Sequence, residues 1–298
     1  MKALIFGVTG QDGHYLKLLL QNAGVSVVGV ARRGGDVQLD VKNREDVCGI
    51  IRATRPDYIF HLAAESSAAH QYLWENHDAI GTGTLSILDA VDKESPDSRV
   101  MLVGSGLQFV NDGRPLDEEA ALDHSSPYAI ARNYSLFAGR YFRQRERRIY
   151  FAFLFNHDSP LRTARHLNMN IAMAAVRIAR GSSEKLLIGD LTAEKEFNFA
   201  GDVVSALWCL VQQDDVFECV VGSGECYPVS TWVELCFRHV GLDWEQHVTF
   251  AENYTSPYRR LVSNPNRLKN LGWHPTMDIT QLSRIVMDHA LKSQTEQK

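Results

Sequence analysis

Cysteine is scarce in this chain of 298 residues, and its few thiols stand apart. The five, Cys48, Cys209, Cys219, Cys226 and Cys236, are odd in number, and no two show C-x-x-C spacing. That argues against a disulfide-stapled scaffold and leaves reduced thiols in a cytoplasmic protein as the simple expectation. No apolar run is long enough to cross a bilayer, so no membrane partner is expected. The apolar start is too short for a signal-peptide core and reads as a first strand. An excess of positive charge is missing too. The net charge of −5 argues against nonspecific nucleic-acid binding. Arg140, Arg143, Arg145, Arg147 and Arg148 form a local basic cluster, which reads as cations at a helix C-terminus rather than as an RNA-binding patch. Internal repeats and low-complexity tracts are absent, and no metal is expected.

What is present suits a large α/β unit with ample core. The most informative stretch is Gly7-Val8-Thr9-Gly10-Gln11-Asp12-Gly13. The apolar run Ala3 to Phe6 enters it, and a helical pattern with Tyr15, Leu16, Leu18, Leu19 and Leu20 leaves it. A strand, then glycines, then a helix start is the geometry of a dinucleotide-phosphate site. Glycines let the backbone approach a pyrophosphate, and the helix N-terminus offers unpaired N–H groups. Val25 to Val30 closes a first β-α-β unit, with Arg32 and Arg33 directly after it. An acidic residue there would hold the ribose hydroxyl of NAD, whereas arginines suit the 2′-phosphate of NADP. Two solvated arginines in a turn beside Gly34 and Gly35 are the plainer alternative.

Further strands are expected at 56–62, 99–103 and 149–155, with helices at 44–53, through 83–91, and opening at Tyr128 after Ser125-Ser126-Pro127. The alternation predicts a Rossmann-type, doubly wound parallel sheet. Residues 1–155 would form the NADP-binding domain. Residues 156–298 would form mainly a smaller, interleaved substrate lobe, so the boundary is discontinuous. In that half helices are expected near 169–180, 202–212, 230–240 and 279–291, and short strands near 185–188 and 219–221. The tail from Ser293 is polar and expected to fray.

Tyr128 and Arg132 are four apart on one helix face, and Ser105 sits at a strand's C-terminal end, where open sheets place ligands. Serine, tyrosine and a cation can make an acid–base site. Spacing alone leaves a packed helix start equally open.

The chain resembles the extended short-chain dehydrogenase/reductases that act on nucleotide sugars, from Met1 to about Pro275. The matching pieces are the glycine stretch, Asp40-Val41, His61-Leu62-Ala63-Ala64, Gly83-Thr84 and Ser126-Pro127-Tyr128-Ala129. Within that family it looks most like the GDP-mannose 4,6-dehydratases and the GDP-4-keto-6-deoxymannose reductases, through residues 9–16, 154–160 and 271–275. The resemblance implies NADP(H) as cofactor. Gly7, Thr9, Gly10, Gln11 and Asp12 would line its pyrophosphate. Arg32 and Arg33 would meet the 2′-phosphate, Asp40 beside Val41 the adenine, and Leu62, Ala63 and Ala64 its midsection. His157 and Arg162 would lie near the cofactor, and Asn156 and Lys195 would touch a nucleotide sugar, GDP-linked by resemblance. Tyr128 would be the acid/base, with Ser105 its partner and Arg132 the adjoining cation. Family members commonly dimerise by packing the tyrosine-bearing helix and its neighbour, and Leu85, Leu88, Tyr134 and Phe137 could serve a homodimer.

Three positions depart from the family pattern. Arg132 replaces the lysine of Tyr-x-x-x-Lys and does not give up its proton. Ile80 replaces a polar relay residue, and Leu107 replaces the glutamate with which dehydratases remove the sugar C5 proton. The turn after Arg33 is also shorter than the dehydratases' tetramer loop. Three functions stay open: NADPH-dependent reduction of a GDP-4-keto-6-deoxy sugar, dehydration of GDP-mannose with a substituted base, and NADP and sugar binding without turnover.

Overall fold

The computed structural model describes every residue except 65, 66, 252, 253, 255 and 294–298. The sequence alternation becomes β1 (Lys2–Phe6), α1 (Gln11–Asn22), β2 (Ser26–Ala31), β3 (Val37–Gln38), α2 (Arg44–Thr54) and β4 (Tyr58–His61). Next come α3 (Leu73–Asn76), α4 (Gly83–Glu94), β5 (Arg99–Ser105), α5 (Pro127–Gln144) and β6 (Arg148–Leu154). A π-helical turn, His77–Thr82, joins α3 to α4 without a break. Seven strands form one parallel sheet in the order β11-β6-β5-β4-β1-β2-β3, where β11 is Glu218–Val221. The order reverses beside β1, which has β2 on one flank and β4 on the other. At that switch point a crevice opens beyond the strand ends.

The strands read as unbroken apolar runs because both sheet faces are covered. In β1, Ala3 and Ile5 join the core beneath α1, while Leu4 and Phe6 join the core on the opposite face. β6 divides the same way, Tyr150 and Ala152 against Phe151 and Phe153. Helix starts follow local capping. The Asn43 side chain accepts from the N–H groups of Glu45 and Asp46, and that of Ser126 accepts from Ala129 N–H with Pro127 at the first helical position.

After β6 the chain builds the lobe and returns to the sheet. The order is β7 (His157–Asp158), α6 (Leu167–Ala179), β8 (Leu186–Ile188), β9 (Glu194–Glu196), β10 (Asn198–Phe199) and α7 (Ala200–Val211), then β11. β12 (Cys226–Pro228), α8 (Val229–His239), β13 (Val248–Phe250), β14 (Arg260–Leu261), α9 (Asn266–Asn270) and α10 (Ile279–Ser293) complete it. α6, α8 and α10 share a separate core around Trp232 and Phe237. α7 packs instead against α1, through Val203, Val204 and Leu207 on Leu16 and Leu20. Trp273 of the Leu-Gly-Trp-His-Pro stretch donates its indole N–H to Ser205 Oγ at 2.8 Å, tying the last segment to α7.

The arginine cluster does stand at a helix C-terminus, with Arg143 in the last turn of α5 and Arg145 at its cap. Its members are also ion-paired, Arg140 and Arg143 with Glu218 at the start of β11, and Arg145 and Arg147 with Asp92 of α4. One expectation needs correction. Leu88, expected at a helix–helix surface, is fully buried under α4, while Leu85, Tyr134 and Phe137 are exposed. The tail that was expected to fray lies outside the described residues, apart from Ser293, which ends α10. All five cysteines are free, and no described helix is long and apolar enough to cross a membrane.

Candidate active site

The crevice holds a cavity of about 580 Å³, walled on one side by Gly7, Thr9, Gly10, Gln11, Asp12 and Gly13. Backbone proximity dictates the glycines. Gly7 has φ +91, and a Cβ on it would lie 2.7 Å from Ala63 N. A Cβ on Gly13 would lie 2.3 Å from Gly7 O. Gly10 caps α1 without a side chain, so first-turn N–H groups stay available for an anion.

The opposite wall carries Ser105, Leu107, Tyr128 and Arg132. Ser105 ends β5, and its Oγ accepts from Leu107 N–H at 3.2 Å, which leaves the hydroxyl proton free to be donated. Tyr128 stands in the first turn of α5, placed there by Pro127 and the Ser126 cap. Arg132 is buried, donates from Nη1 to Val103 O at 2.5 Å, and holds its guanidinium 5.1 Å from the Tyr128 ring centre. Ile80, delivered by the π-helical turn, packs against Tyr128. An apolar side chain therefore stands beside Tyr128.

At the lobe end stand Asn156, His157, Asp158, Arg162 and Lys195. Lys195 Nζ donates to Asn168 Oδ1 at 2.9 Å, and Asn168 donates to Asp158 Oδ2 at 2.5 Å. Burial pushes the Lys195 ammonium down, against the opposing pull of Asp158. Three buried polar atoms of the lining residues have no hydrogen-bond partner among the described residues, Gln11 Nε2, Arg132 Nε and Asn156 Oδ1, while Arg162 Nε lies 3.5 Å from Asp158 Oδ1. Unpaired buried groups are rare in folded proteins, and the two donors among them, Gln11 Nε2 and Arg132 Nε, fit a polar, anionic ligand such as a dinucleotide.

The structure thus brings together Gly7, Thr9, Gly10, Gln11, Asp12, Leu62, Ala64, Ser105, Tyr128, Arg132, Asn156, His157, Arg162 and Lys195. It does not bring five other expected residues into the wall. Ala63 lies behind Gly7, and Val41 is buried against Gly83. Asp40 sits half-buried in the turn before α2, accepting from Lys42 N–H. Arg32 and Arg33 lie exposed past β2, in no ion pair with a described residue.

Two features carried no signal of their own in the sequence. His61, at the end of β4, is buried beside Arg132, with the Ala79 and Ile80 backbone near its ring. Burial and the Arg132 charge push it down to about 3, so it is neutral. His157 is paired with Asp12, which only the folded chain makes neighbours.

Comparison with known proteins agrees with this geometry. The family described as GDP-mannose 4,6 dehydratase matches residues 4–286. GDP-mannose 4,6 dehydratase 1 of Arabidopsis thaliana is 28% identical, over 99% of this chain and 91% of that protein. Among solved structures, dTDP-glucose 4,6-dehydratase from Bacillus anthracis in complex with NAD superposes with a TM-score of 0.87 at 18% identity, covering 99% of this chain and 98% of that one. RMD from Pseudomonas aeruginosa complexed with NADPH gives 0.86 at 20% identity, covering 98% of each chain.

Proposed function

Because the chain belongs to the GDP-mannose 4,6-dehydratase family, we propose that it is a nicotinamide-dependent oxidoreductase of nucleotide-linked sugars that reduces a GDP-4-keto-6-deoxy sugar. The observation that carries the choice of reduction is the wall at Leu107. Dehydration needs a base for the C5 proton, and leucine is none. The described cavity wall holds only two carboxylates, Asp12 and Asp158. Both are engaged, Asp12 by His157 and Asp158 by Asn168 and Arg162. Reduction needs no such base.

The residues then divide the work. When bound, reduced nicotinamide supplies a hydride to the C4 carbonyl carbon. Ser105 donates its free hydroxyl proton in a hydrogen bond to the carbonyl oxygen. Tyr128 transfers a proton to that oxygen as it becomes an alkoxide. Arg132, anchored on Val103, adds a fixed positive charge that cannot itself be passed on. With Ile80 closing the inner route, Tyr128 regains its proton from water in the cavity. Gly7 to Gly13 and the start of α1 hold the pyrophosphate. The lobe cation Lys195 meets the diphosphate of the sugar nucleotide, and Arg162 stands by the cofactor.

NADP is favoured over NAD. Arg32 and Arg33 past β2 form no ion pair with a described residue, and the nearby carboxylate of Asp36 is engaged by Gly29 N–H and Lys17. A homodimer is favoured by the exposed stripe Ile130, Tyr134, Phe137 and Tyr141 on α5, beside Leu85 of α4. The free thiols fit a cytoplasmic enzyme.

The test is consumption of NADPH with a GDP-4-keto-6-deoxy sugar, followed by absorbance. Tyr128→Phe is expected to lower turnover by about 10²-fold or more while NADPH still binds. Release of a keto product from GDP-mannose without added reductant would show a dehydratase instead. Tight NADPH binding with no turnover of either sugar would leave a binding protein, the reading that Ile80 and Arg132 favour.

A further inference from the structure

The first turn of α1 contains an apparent contradiction. Its free N–H groups and positive dipole end suit an anion, yet Asp12 in that same turn puts a carboxylate into the cavity wall. A carboxylate beside a pyrophosphate repels it. His157 resolves this. Its Nε2 lies 3.1 Å from both Asp12 oxygens, and its Nδ1 lies 2.8 Å from Phe155 O. Both partners are acceptors, so satisfying both requires a proton on each ring nitrogen. The imidazolium is nearly enclosed, with 10% of the His157 side chain exposed and 22% of Asp12. The arrangement is held on both sides. β7 pairs with β10 at His157↔Asn198, and Ser159 donates to Gln11 Oε1 at 2.9 Å.

We propose that His157 is a positioning residue that cancels the Asp12 charge, so that the start of α1 accepts the cofactor's phosphates. The inference rests on the dinucleotide reading of the cavity. The charged groups facing His157 are Asp12 from α1 and Arg162 from the segment after β7. Burial and Arg162 work against its charge, and the Asp12 carboxylate outweighs them, so His157 holds its proton above the ordinary histidine range. Deprotonation at higher pH leaves Asp12 uncompensated and weakens cofactor binding.

The test is fluorescence titration of NADPH onto wild type, His157→Gln, Asp12→Asn and the double variant, across pH 6 to 9 (roughly the span in which a raised histidine titrates). Wild-type affinity is expected to fall as pH rises. His157→Gln is expected to raise Kd by about tenfold or more at pH 6, because it leaves a largely buried carboxylate unpaired. The double variant is expected to return within about threefold of wild type, and both proteins lacking Asp12 are expected to lose the pH slope. A double variant as weak as His157→Gln would overturn the proposal, since a merely structural histidine gives no rescue. An NMR titration of the cofactor-free wild type gives a separate reading, and a His157 imidazole neutral at pH 6 would also overturn it. If His157→Gln does not fold, a pH slope that persists in Asp12→Asn has the same force. Wild type that binds neither NADPH nor NADH, with His157 charged as expected, would overturn the cofactor reading and leave the charge pair established.

Discussion

Arg132 occupies the position where a proton-passing lysine would be expected, and its surroundings show what the exchange costs. One guanidinium nitrogen is tied to Val103 O, Nε has no hydrogen-bond partner among the described residues, and the group lies near the Tyr128 ring. The group is fixed as a charge and cannot act as a relay. Arg132→Lys, which keeps the charge, is expected to change NADPH-dependent turnover by less than about tenfold. Arg132→Gln, which removes it, is expected to lose about 10²-fold, with steady-state kinetics deciding. Equal losses in both variants would mean that the fork on Val103 matters more than charge. That Gly7, Gly13, Ser105 and Tyr128 would stand at strand ends and helix starts around one crevice was legible in the sequence. The His157–Asp12 pair was not, because its members are 145 residues apart and nothing local links them.

The elements were legible wherever they are long enough to carry a period. β1, β4, β5 and β6 are runs buried on both faces, and α5 declares itself with Ser126-Pro127 at its start. β3, β7 and β10 span two residues each, too few for a pattern, and exist because the neighbouring strand offers backbone partners. The π-helical turn is likewise silent in the sequence, yet it sets Ile80 on Tyr128. On α5 the outward face is unusual: Ile130, Tyr134, Phe137 and Tyr141 recur at helical spacing and are each more than two-fifths exposed. If this face joins two copies, Tyr134→Glu with Phe137→Glu yields a monomer by sedimentation, with thermal stability of the protomer changed by no more than about 1 kcal/mol. A wild-type protein that sediments as a monomer, or a double variant that stays dimeric, would remove the α5 face as the interface.

At the scale of the whole molecule, pH stability has an identifiable acid limb. His61 is held near pKa 3 in the fold against 6.5 when free. Its folded value is depressed, so the unfolded chain binds the extra proton and stability is lost as pH falls below 6.5. At about 1.4 kcal/mol per unit, the loss reaches about 2 kcal/mol by pH 5. His157 has the opposite sign. Its raised value contributes stability below 6.5 that fades as pH rises through the folded value. Urea unfolding at pH 7 and pH 5 is expected to show a drop about 2 kcal/mol smaller in His61→Asn than in wild type. An unchanged drop would place the acid sensitivity elsewhere.

The sheet itself has a consequence for how the chain is made. Its outermost strand on one side, β11, is also its last in sequence, and it arrives only after α6, β8, β9 and α7 have been laid down. During synthesis, β6 must leave the ribosome with an open hydrogen-bonding edge and with Tyr150 and Ala152 still lacking α7, whose Val203 and Leu207 share their core. The nascent chain therefore carries an aggregation-prone apolar edge for the whole time that the intervening lobe is being translated, a natural point of contact for a chaperone.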